Sequence, residues 1–167
     1  TSRRQRQMCI RDRVVYYISA YCDLLRDGGI NFRGEVFQTG PLNLDFEPLR
    51  RDQPIYTGVK GDRALYLTGQ VADGILLSAG CTLEYVSYAK NLIAEGARSV
   101  GRDPAEIHIA AYLPTCICEN SADAVEAMRP ATRRYMALHG AQPILTCGGF
   151  APEEVQPFRD AFFAGTE

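Results

Sequence analysis

The residues best suited to holding a charged ligand are Lys60-Gly61-Asp62-Arg63-Ala64. A glycine turn between an extended run and a helix lets backbone N–H groups converge on an anion, and Lys60 and Arg63 add positive charge there. The chemistry would be phosphate binding. The plain alternative is an ordinary strand-to-helix loop with solvated Lys60 and Arg63, and the residues alone leave both open. Just upstream, Thr57 and Gly58 close the extended run. Gly58 would let a flat ring approach the backbone, or it is a small residue needed for packing. Ser78 ends the next run in the same way. Asp73 has the right type for proton transfer. Ala72-Asp73-Gly74 nevertheless reads as a turn, with the carboxylate accepting backbone N–H groups and glycine supplying positive φ.

The remaining chemistry-bearing side chains are less suggestive. His108 lies inside an apolar run and is expected to be a core or helix-facing histidine. His139 closes a helical stretch before Gly140, where an imidazole can serve the helix C-terminus. No pair of histidines has metal spacing. Cys116-Ile117-Cys118 would place two thiols on one strand face, without a second pair to complete a tetrahedral zinc site. They are expected to be small buried side chains. Nothing resembles a Ser-His-Asp set or a nucleophile elbow. No metal site is expected, and no catalytic residue can be named.

These residues sit on a regular alternation of elements. Apolar spacing predicts strands over 54–59, 74–78 and 107–118, and helices over 62–71, 82–100 and 121–138. Thr82 is the expected N-cap of the second helix and Gly101 its stop. Asn120 or Ser121 caps the third. Upstream, 14–27 has helical spacing ended by Gly28-Gly29, and 32–46 reads as an extended excursion or hairpin. A last short helix starts at Pro152 and ends near Gly165. Strands alternating with helices imply parallel pairing through helical crossovers, an α/β fold.

Composition sets the limits. The chain has 167 residues, one domain or a piece of one, with 46% hydrophobic and 23% charged residues. A complete eight-fold barrel needs roughly 250 residues. A net charge of −2 argues against a nucleic-acid partner, and no apolar run approaches a membrane span. Six scattered cysteines suggest reduced thiols in the cytoplasm. Residues 1–13 carry five arginines against Asp12. They are expected to be a disordered or artefactual appendage to a domain spanning 14–167.

From about Val14 to Gly165 the chain resembles the C-terminal part of the luciferase-like flavin- or deazaflavin-dependent oxidoreductases, most closely their methylenetetrahydromethanopterin reductase-like branch. The resemblance rests on residues 54–61 (PIYTGVKG), 67–78 (LTGQVADGILLS), Glu95-Gly96-Ala97 and Gly101-Arg102-Asp103-Pro104. It implies the C-terminal portion of a (β/α)8 TIM-type barrel. It further implies an oxidoreductase or monooxygenase whose FMN or coenzyme F-420 performs hydride transfer or oxygen activation on a small organic substrate. Gly58, Lys60, Gly61, Arg63 and Ala64 would then bind the cofactor, with Gly61 at its phosphate. Asp62 stands where the family often has proline. A homo-oligomer is expected of the full-length form. The competing expectations are a phosphate-binding α/β barrel enzyme without flavin and a catalytically inactive half-barrel.

Overall fold

The structure, a computed structural model, describes residues 3–34, 37–140 and 142–165, with side chains from Arg13 onward. Helix α1 runs over Arg3–Asp27. The backbone is therefore helical well before Val14, contrary to the expectation of no fold in 1–13. Arginine, glutamine and methionine are strong helix formers, and neither glycine nor proline interrupts the stretch before Gly28. Gly28, at φ 74°, ends the helix by donating its N–H to the Leu24 carbonyl at 2.9 Å.

Strands β1 (Gly29–Ile30) and β2 (Leu42–Asn43) pair antiparallel, with a bridge between Arg33 and Gln38 further out. This is the expected hairpin; residues 35 and 36 of it lie outside the described residues. It folds back on α1 through aromatic contacts. Tyr17 stacks on Phe37 at 4.3 Å between centroids, and Phe37 stacks on Phe32 at 4.8 Å. The tyrosines of α1 thus serve packing.

Strands β3 (Tyr56–Thr57), β4 (Gly74–Leu77) and β5 (His108–Ala111) form one parallel sheet in that order. Helices α2 (Asp62–Val71) and α3 (Leu83–Ser99) make the crossovers. The result is an α/β partial barrel without closure. Strand β5 stops well short of the predicted end at 118. Tyr112 still donates its N–H to the Leu77 carbonyl, but Pro114 has no N–H to continue a ladder. Helices α4 (Ser121–His139), α5 (Pro143–Thr146) and α6 (Pro152–Ala164) complete the chain. The caps fall as expected: Thr82 accepts from Tyr85 N–H and Asn120 accepts from Ala122 N–H.

The core lies between the sheet and the helices, around Leu65, Ile75, Leu77, Tyr85, Ile93, Ile144 and Val155. Val100, the C-cap of α3, is exposed, and so is Leu138, which lies on the outer side of α4 between the buried Ala137 and His139. The tightest joint is between α2 and α3. A Cβ at Gly69 would strike the backbone of Ile93 and Ala97, and one at Gly96 would strike the Tyr66 carbonyl. Each helix therefore carries a notch that receives the other's backbone. Arg102 fastens the joint by donating to the Gly69 carbonyl at 3.1 Å, and Gln70 donates to Ser99 at 2.9 Å. Asp103 caps the following turn by accepting from Ala105 N–H.

Candidate functional site

Parallel register fixes which side chains share a face. Tyr56, Gly74 and His108 stand in one row across the three strands, followed by Thr57, Ile75 and Ile109. Ile75 and Leu77 are fully buried on the helix side, so Gly74 and Leu76 point the other way, to the face a closed barrel would enclose. His108 is on that open face and exposed, not in the core as expected. Its period-two position puts it opposite the helices. The Tyr56 hydroxyl and His108 Nδ1 lie 2.6 Å apart, bridging over β4. Gly74 makes that possible: a Cβ there would lie 2.5 Å from the Tyr56 ring and 2.8 Å from the His108 carbonyl. Gly74 is thus required by close approach and not by positive φ, which it does not adopt.

Asp73 behaves as a turn residue. Its carboxylate accepts the Ile55 N–H at 2.7 Å, and its own N–H donates to the Ile55 carbonyl at 3.0 Å. It lies at the N-terminal ends of the strands, away from the end where α/β sheets hold ligands.

The opposite, C-terminal end gathers the expected ligand residues. A cavity of about 280 Å3 is bounded by Gly58, Val59, Lys60, Leu77, Ser78 and Tyr112. On the other side of the same loop, a cavity of about 530 Å3 is bounded by Gly61, Asp62, Arg63, Ala64, Leu67 and Thr68, among others. The five expected cofactor residues are therefore split. Gly58 and Lys60 face the strand-end cavity, while Gly61, Arg63 and Ala64 face the helix start, with Val59 common to both. Thr57 turns away from the strand-end cavity, its hydroxyl 2.7 Å from that of Thr68 on α2.

The start of α2 has no side-chain cap and open space above it. Gly61, its N-cap, contributes no side-chain cap, and a Cβ there would meet nothing within 4 Å. The Ala64 and Leu65 N–H groups return to the Gly61 carbonyl at 3.0 and 2.9 Å. Those of Asp62 and Arg63 find no acceptor among the described residues, as the first groups of a helix do not within it. The Asp62 carboxylate lies near the Tyr88 hydroxyl on α3 and, with burial, pushes that phenol's pKa up.

Three side chains at this end of the sheet escaped sequence reasoning. The Tyr85 hydroxyl, buried and pushed up to about 12 chiefly by burial, donates to the Lys60 carbonyl at 2.9 Å. Tyr88 lies near the Asp62 carboxylate. His139, 4% exposed, bonds the Ala79 carbonyl at 2.6 Å through Nε2 and ties α4 to the turn after β4. The two tyrosines sit on the predicted helix 82–100, and the turn from α3's start toward the strand ends is the signal that could have marked them.

A parallel sheet with helices on one side, and a glycine turn feeding a helix at its C-terminal end, defines the ligand-bearing part of an α/β barrel. A profile of the luciferase-like monooxygenases matches residues 11–161, and the chain belongs to that family. It is 34% identical over 110 residues to the 5,10-methylenetetrahydromethanopterin reductase of Methanolobus tindarius, covering 66% of this chain and 33% of that protein. The enzyme of the same name from Methanopyrus kandleri is 27% identical over 142 residues, 84% of this chain and 40% of that protein. The solved structure of the coenzyme F-420-dependent tetrahydromethanopterin reductase from Methanopyrus kandleri superposes with a TM-score of 0.79 at 25% identity, over 93% of this chain and 45% of that one. The chain thus spans less than half the length of these relatives.

Proposed function

We propose that this chain forms the cofactor-phosphate side of an oxidoreductase that uses the deazaflavin coenzyme F-420 to exchange a hydride with a small organic substrate. The observation that carries the reading is the uncapped start of α2 at Gly61, with two unpartnered N–H groups, clear space over the glycine and Arg63 alongside. Its likeness to an F-420-dependent reductase supports the choice of cofactor. N–H groups at a helix start and the Arg63 guanidinium favour an anion, while the Asp62 carboxylate at the same helix start opposes one.

When bound, the coenzyme supplies the hydride chemistry. The protein's own residues bind and shape. Gly61, Arg63 and Ala64 hold the phosphate end. Gly58 and Lys60 bound the strand-end cavity, where the rest of the cofactor would begin. Tyr85 fixes the loop between them through the Lys60 carbonyl.

The test is cofactor titration in a full-length protein carrying this segment, with F-420 and FMN compared. Arg63→Ala should weaken F-420 binding by about 1.5–3 kcal/mol, the range for hydrogen bonds to charged groups. Gly61→Val should also weaken it, by placing bulk in the open space. Lys60→Ala should matter less to the phosphate, since its side chain faces the other cavity. Unchanged affinity in both Gly61→Val and Arg63→Ala would reduce the turn to an ordinary loop.

A further inference from the structure

Cys116 and Cys118 were expected to be buried on a strand face. Both lie beyond the end of β5, in the connection to α4 that has no regular structure. Cys118 is exposed and Cys116 is half-buried, while Ile117 between them is 92% exposed. Their Sγ atoms are 3.6 Å apart. A disulfide needs about 2.05 Å, so closure requires only a small further approach of two side chains that already face each other. No helix or strand hydrogen bonds have to break for it. Cys22, Cys81 and Cys147 differ: none is exposed, and Cys81 and Cys147 pack against the core.

We propose that Cys116 and Cys118 form a reversible dithiol–disulfide couple that exchanges with low-molecular-weight disulfides of the glutathione class. One thiol, as its thiolate, attacks a sulfur of the small disulfide and expels one small thiolate, leaving a mixed disulfide on the protein. The second cysteine, as thiolate, then attacks the protein-side sulfur and expels the other small thiolate. The pair gives up two protons and two electrons, and one small disulfide becomes two small thiols. The couple stands on the loop that leaves β5 at the sheet's C-terminal end, close in sequence to Leu113 and Pro114, which bound a cavity there. It does not depend on the assignment of the cofactor.

The test incubates the full chain with oxidised glutathione, alkylates the remaining thiols and maps them by mass. The tryptic fragment 103–133 contains these two cysteines and no other. The expected product is that fragment lighter by two hydrogens, unalkylated, and returned to two thiols by dithiothreitol. Cys118→Ser should stop at a glutathione adduct on Cys116. A wild-type fragment that keeps both thiols free, or that accumulates glutathione without closing, would overturn the proposal. So would an unalkylated Cys116 paired to another cysteine in Cys118→Ser.

Discussion

Buried in the turn region behind the strand ends, His139 couples protonation to folding. Burial chiefly pushes its pKa below the usual histidine value; the nearby Lys60 acts the same way, and the bond to the Ala79 carbonyl opposes both. The unfolded chain therefore takes up a proton more readily than the folded one as pH falls. Its contribution is present above the ordinary value of about 6.5 and is lost as pH drops toward the lower folded value. Unfolding free energy measured by denaturant should fall between about pH 7.5 and about pH 5.5, and His139→Gln should flatten part of that slope. An equal slope in the variant would refute the assignment. At the other end of the strands, Gly74→Ala should cost about 1–3 kcal/mol through the clash with Tyr56 and His108. Tyr56→Phe, which removes only a hydrogen bond on an open face, should cost about 0.5–1.5 kcal/mol.

Among the elements, the α2–α3 joint offers a test of sign. Replacing an exposed helical glycine by alanine normally stabilises by about 1 kcal/mol. At Gly69 and Gly96 the added Cβ meets backbone of the facing helix, which cannot step aside as a side chain can. Each substitution should instead destabilise by about 1–3 kcal/mol. The double variant should fall short of the sum, because both act on one contact. Denaturant midpoints that rise in either single variant would contradict the packing. Sequence alone places α2 at its observed bounds, because Gly61 and Ala72-Asp73-Gly74 punctuate it on both sides. It overruns β5, because Leu113 and Ile117 prolong an apolar pattern that Pro114 interrupts. The glycine turn proposed to hold an anion is marked in the sequence by Lys60-Gly61-Asp62-Arg63. The contacts around it are not: Tyr85 reaches Lys60, and His139 reaches Ala79, only through tertiary packing, and a run apolar on both faces hides which face of β5 carries His108.

For the whole molecule, the sheet leaves β3 and β5 each with one partner strand among the described residues. Their outer edges carry unpaired backbone groups, and the open face exposes Tyr56, Leu76 and Tyr112. The isolated chain should self-associate as concentration rises, which sedimentation velocity reads directly. A single monomeric boundary over the accessible range would contradict this. The start of α1 is a separate matter. Removing residues 1–13 should change unfolding free energy by less than about 1 kcal/mol, the size expected for an exposed terminus. A larger loss would show that the arginine-rich turns pack.

The notched helix joint also bears on inheritance. Its partners, from Tyr66 through Gly69 and Gly96 to Arg102, fall in one continuous stretch that also includes β4. Recombination between related genes that moves this stretch whole transmits both halves of the joint together. A crossover between Gly69 and Gly96 would set a notch from one parent against a helix shaped by the other. Exchange points before Lys60 or after Pro104 should therefore yield folded chimeras far more often than points within α2 or α3.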